Sequence, residues 1–154
     1  MGSGKIYCII GGLVTLLTTF LFSFHTFFPG LDFYGIGFIM NIPTLFASGD
    51  ILTIIMAIVF IIFLLSGIFI LLGVKRRELA IVGSLFTIVV GVYFICVFYI
   101  GILDPQLAFM FLNPPIIEGI LPLNIDVGSV SIGPILVLTG GVLGLIGGIK
   151  GTGW

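Results

Sequence analysis

Charge is what this sequence has least of. Only 7% of its 154 residues are Asp, Glu, Lys or Arg, where soluble domains carry about 25%, so a water-soluble fold could not cover itself with polar surface. The same scarcity removes a nucleic-acid interface, which needs Lys and Arg clustered on a wet face. The one basic cluster here is the tight turn Lys75-Arg76-Arg77. Histidine is reduced to His25, and without a second histidine or a paired cysteine the usual zinc ligand sets are missing. Cys8 and Cys96 are the only cysteines. If the apolar runs cross a membrane, the two lie roughly 20 Å apart along its normal at a rise of about 1.5 Å per residue. A disulfide needs Cα atoms within about 7 Å, so both cysteines are expected to be small packing residues.

Motifs are absent as well. Gly2-Ser3-Gly4-Lys5 runs into Ile6, which fits neither a phosphate loop nor a myristoylation signal. No N-x-[ST] sequon occurs, and the segments 29–50 and 104–133 hold no cysteine, a combination that fits a prokaryotic envelope. No catalytic, cofactor-binding or metal residues are assigned, and no cofactor is expected. Nor does any Asp, Glu, Lys, Arg or His interrupt the middle of a long apolar run. Pumps and proton-coupled carriers place such groups at mid-membrane depth, so that class is disfavoured.

What the chain has is hydrocarbon: 60% of it is hydrophobic, and four runs are long enough to cross a bilayer, 6–28, 51–73, 79–103 and 134–150. The expected fold class is an all-α membrane protein, one tetraspan domain over 1–154 forming a four-helix bundle with two apolar outer loops, 29–50 and 104–133. Glycines and Pro43 argue against a further span in the first loop, and Asp50 or Ser48 is placed to cap the second helix. In the second loop Leu123, Ile125 and Val127 alternate with Asn124 and Asp126, with a phase shift at Gly128-Ser129. That pattern predicts a short strand with a bulge or turn, pairing with 36–42 or with a neighbouring subunit.

Small residues recur every fourth position: Gly11, Thr15, Thr19 and Ser23; Gly83, Thr87 and Gly91; Gly140, Gly144 and Gly148. Such stripes let helices touch backbone to backbone in lipid, either within one bundle or between subunits. The fourth helix is the candidate for self-association.

Charge sorting gives the orientation. Lys5, Lys75, Arg76, Arg77 and Lys150 fall at the two tails and the tight turn, whereas Asp32, Asp50, Asp104, Glu118 and Asp126 fall in the two long loops. The positive-inside rule then puts both termini in the cytoplasm of a plasma membrane. In outline, two outer loops and a tight inner turn resemble the claudin and tetraspanin groups of tetraspan proteins. Their W-x-x-W-C-C and Cys-Cys-Gly patterns are absent, so no functional residue carries over.

Three functions follow as expectations. The first is a structural or assembly protein, self-associating or an accessory subunit of a larger membrane or envelope complex, with the bilayer and other membrane subunits as partners. The alternative is a passive channel or carrier for a small neutral solute, lined by the Thr/Ser stripe of the first helix. A lipid-modifying enzyme would need His25 to converge with outer acids such as Asp32 or Asp104.

Overall fold

The computed structural model describes residues 2–28, 30–117, 120–127 and 130–150. Among the described residues four helices are long and apolar enough to cross a membrane: α1 (Ser3–Leu21), α3 (Ile51–Leu72), α4 (Arg77–Phe94) with its π-helical continuation (Ile95–Ile100), and α5 (Gly133–Lys150). With 18 to 24 residues per span they measure roughly 27 to 36 Å, matching a hydrocarbon core of about 30 Å. Each packs on its sequence neighbour, and α5 returns to lie along α1, closing a four-membered ring.

Glycine sets the spacing of that ring. At Gly11 of α1 an added Cβ would stand 2.6 Å from Gly144 N and 2.8 Å from Gly140 O, so α1 and α5 meet main chain to main chain. Between α1 and α3 the fit is reciprocal: Leu71 fills the space over Gly12, and Leu16 fills the space over Gly67. The α3–α4 seam adds a buried hydroxyl bond, Thr87 Oγ1 to Ser66 Oγ at 2.7 Å. Of the two cysteines, Cys8 is buried, Cys96 is half-buried, and both are free thiols.

At the end of the ring opposite the tight turn sits a cap of mixed structure. The first helix stops at Leu21 instead of running to 28, and Ser23–Phe28 forms a strand, β1. Its aromatic and β-branched residues suit a pleated surface. The backbone is also captured there, because Leu123 N donates to Leu21 O at 2.7 Å and Ser23 N donates to Leu123 O at 2.8 Å. β1 pairs antiparallel with β2 (Leu31–Tyr34), and β2 pairs with β3 (Leu112–Asn113), giving the order β1-β2-β3. β4 (Asp126–Val127) and β5 (Val130–Ser131) make a separate hairpin. The phase shift anticipated at Gly128-Ser129 lies outside the described residues.

The segment 36–42, expected as a partner strand, is helical instead. It belongs to α2 (Gly35–Ala47), which contains Pro43. Its glycines are sites of close approach: a Cβ at Gly35 would collide with Thr19 O, and one at Gly37 would stand 2.7 Å from Phe111 O. Glycine there admits the neighbouring chain at the cost of about 1 kcal/mol of helix propensity, which packing offsets. A 3-10 helix (Pro105–Phe111), capped by Asp104 Oδ1 accepting from Gln106 N at 2.9 Å, lies beside α2.

Cap and bundle are joined by aromatic rings. Phe24 of β1 stacks on Phe94 of α4 at 4.6 Å, and Phe111 sets its edge or face against Phe94, Phe60 and Phe24 at 5.3, 4.8 and 5.8 Å. All of these rings are buried. Such pairs contribute about 0.5–1.5 kcal/mol each beyond area burial.

Candidate functional site

His25 lies on β1, beyond the end of α1. Its ring stacks on Phe98 at 4.8 Å and 13°, a position created where α4 loosens into its π-helical turn. A π-turn redirects side chains that an α-helix would leave on its own face. Here the same turn also brings the Tyr99 hydroxyl to donate to Ser131 O. Gly101, at φ 76°, ends the turn in the left-handed conformation that glycine tolerates best.

Around His25 runs a chain of polar contacts that joins β1 and β2 to the second long loop. Thr26 Oγ1 donates to Asp32 Oδ1 at 2.8 Å, Asn124 Nδ2 donates to Thr26 Oγ1 at 2.6 Å, and Ser131 Oγ donates to Asn124 Oδ1 at 2.7 Å. Burial pushes the His25 imidazole below the ordinary histidine value; the charges of Asp126 and then Asp32 oppose that push. So the structure gathers His25 with Asp32 and Asp126. Asp104, the other acid weighed for this site, instead caps the 3-10 helix. Among the described residues no three His, Cys, Asp or Glu side chains are grouped to hold a metal ion.

A second feature lies where α2, the first turn of α3 and the 3-10 helix meet. They enclose a cleft of about 410 Å³, with Thr44, Asp50 and Gln106 among its polar lining and Leu45, Leu107 and Met110 among its apolar lining. Asp50 is the N-cap of α3. Its Oδ2 accepts from Thr53 Oγ1 at 2.7 Å and Thr53 N at 3.2 Å, and these bonds hold its carboxyl below the usual carboxylate value. Asn41 fixes the width of the cleft: its Nδ2 donates to Met110 O at 2.9 Å and Leu112 O at 3.2 Å, while Asn113 Nδ2 donates to its Oδ1 at 2.8 Å. Asn113 Nδ2 also reaches Gly37 O at 2.7 Å. The two Asn residues, one in each long loop, are thereby a structural clasp. The sequence marks both beside prolines, and nothing in their spacing announces that they meet.

The small-residue stripes face inward. Gly140, Gly144 and Gly148 are buried within the chain: Gly140 lies against Thr15, Gly144 against Ser84 and Ile70, and Gly148 against Ile81. The Thr15 and Thr19 hydroxyls, considered as a solute lining, are buried, with Thr15 against α5 and the Thr19 carbonyl against Gly35.

Fold and site together define a multi-pass, predominantly helical chain with four candidate membrane spans and a capped end. No family model, curated protein or solved structure matches it.

Proposed function

We propose that this chain is a structural or assembly protein of a plasma membrane, contributing its capped end to a larger membrane or envelope complex or to a second copy of itself. The observation that carries this reading is the apolar cap segment in which Ile116, Ile117, Ile120, Leu123, Ile125 and Val127 are all exposed, Ile120 at 62%. Apolar side chains gathered in one stretch outside the spans mark an interaction surface more often than a free one. The glycine faces are already occupied inside the chain, so association falls to this surface and to the outer faces of the helices.

Support for the orientation comes from the ends of the bundle. Lys5, Lys75, Arg76, Arg77 and Lys150 belong to the turn end, where Lys150 Nζ also lies 5.4 Å from the centre of the Tyr7 ring. The positive-inside rule directs that end to the cytoplasm and the cap outside. The sparse cysteine and missing sequons favour a prokaryotic cell. A channel gains little support, because the capped end is filled by Phe24, Phe94 and Phe111 and the α1–α5 seam by main chain.

Crosslinking in native membranes, followed by sizing, tests the proposal. Wild-type chain is expected in a species larger than one copy, and Ile120→Lys with Ile125→Lys is expected to release it without lowering its own melting temperature. A single-copy wild type, or an assembly indifferent to the two lysines, removes the proposal. Thiol labelling of a cysteine at position 76, in a chain lacking Cys8 and Cys96, checks the orientation: reaction from outside intact cells reverses it.

A further inference from the structure

The cleft between α2, α3 and the 3-10 helix has the attributes of a built site. Its volume of about 410 Å³ falls within the roughly 300–1,000 Å³ usual for ligand pockets. It also stands where a span begins, since Asp50 immediately precedes the apolar helix Ile51–Leu72. An occupant there has one part at the headgroup level and one part against hydrocarbon, so it is an amphiphile.

The lining says which kind. Leu45, Leu107 and Met110 supply an apolar floor, and Thr44, Asp50 and Gln106 supply a polar rim. The charge at the rim is the Asp50 carboxylate, and Asp104 sits at the start of the same 3-10 wall. All five Lys and Arg belong to the opposite end of the bundle. An anionic headgroup would meet like charge, whereas an ammonium group meets a carboxylate whose bonds to Thr53 leave it ionised and held in place. The Asn41 clasp fixes the walls before any ligand arrives, which lowers the entropy cost of binding.

We infer that this cleft binds an ammonium-bearing amphiphile, with the cation at Asp50 and the chain along Leu45, Leu107 and Met110. In a bilayer that chemistry is an aminophospholipid; free in water it is a long-chain amine. The Thr44 hydroxyl and the Gln106 carboxamide can donate to phosphodiester oxygens, which favours the phospholipid. The inference holds whichever way the chain faces and whatever it assembles with.

Native mass spectrometry of the full chain in micelles, given equimolar phosphatidylethanolamine and phosphatidylglycerol, reads the preference. Wild type is expected to retain the ethanolamine lipid about tenfold more, the order of one charged hydrogen bond. Asp50→Asn keeps the helix cap, since Asn caps as well as Asp, and is expected to erase the preference. Thr44→Trp is expected to occupy the cleft and reduce retention while the melting temperature stays put. Dodecylammonium is expected to displace the lipid only if the cleft reads the ammonium and chain; displacement at equal concentration identifies the soluble amine as an equal occupant. Equal retention of both lipids, a preference that survives Asp50→Asn, an indifferent Thr44→Trp, or no displacement by dodecylammonium overturns the inference.

Discussion

A methyl group added at Gly11 would press on two backbone atoms, Gly144 N at 2.6 Å and Gly140 O at 2.8 Å. Neither can swing aside, so the helices must separate. At Gly12, one residue on, the two nearest atoms are side-chain atoms, Leu71 Cγ at 2.5 Å and Cδ2 at 2.7 Å, and the main chain, Leu71 N, stands farther off at 3.0 Å. Gly11→Ala is therefore expected to destabilise the chain by about 1–3 kcal/mol, the usual range for overpacking, and Gly12→Ala by less. Denaturant titration in micelles would measure both, and equal losses would mean that the α1–α5 seam is softer than its geometry implies. The every-fourth spacing of Gly11, Thr15 and Thr19 was legible in the sequence, because helical periodicity alone puts those residues on one face. Which helix they would meet was not, since a glycine carries no mark of its partner.

Elements divide by how they are encoded. The spans α3, α4 and α5 begin and end within a few residues of the apolar runs 51–73, 79–103 and 134–150, because hydrocarbon length and the polar turn fix them. The run 6–28 misled: an apolar stretch has the same hydropathy as helix or strand, and β1 is decided by the amide and carbonyl of Leu123 and by pairing with β2. Likewise Gly35, Gly37 and Pro43 look like helix breakers in the sequence, yet α2 forms because its glycines fit under the Thr19 and Phe111 carbonyls. The sheet that replaces the end of the first helix has a consequence for acid. His25 titrates below its ordinary value of 6.5 when folded, through burial opposed by Asp126 and Asp32. The unfolded chain then binds more protons in the interval beneath 6.5, so stability is complete above that value and declines as pH falls into the interval. Melting temperature is expected to drop on acidification below about 6.5, and His25→Phe is expected to flatten that particular slope. An unaltered slope in the variant assigns it to other groups.

On the scale of the molecule, the stretch Val74 to Glu78 is too short for anything but a tight turn that makes α3 and α4 antiparallel neighbours, and the two helices do pack together. The closure of α1 onto α5 could not be read, because it depends on surfaces far apart in the chain. Neither could the cleft or the polar chain beside His25, each assembled from both long loops. Apolar composition names the solvent of a protein and leaves its business to the few polar atoms that the fold brings together.

The α1–α5 seam also imposes an order on synthesis. α1 finds its main-chain partner only after α5 has been made, and β1 waits for Gly133, where an added Cβ would collide with the Ser23 carbonyl. A chain halted at residue 132 should consequently remain open to protease in the membrane, and a separately expressed 133–150 segment should restore resistance. If the shortened chain is already resistant, α1, α3 and α4 suffice and the ring closes as an afterthought; otherwise the bundle stays open until α5 is inserted.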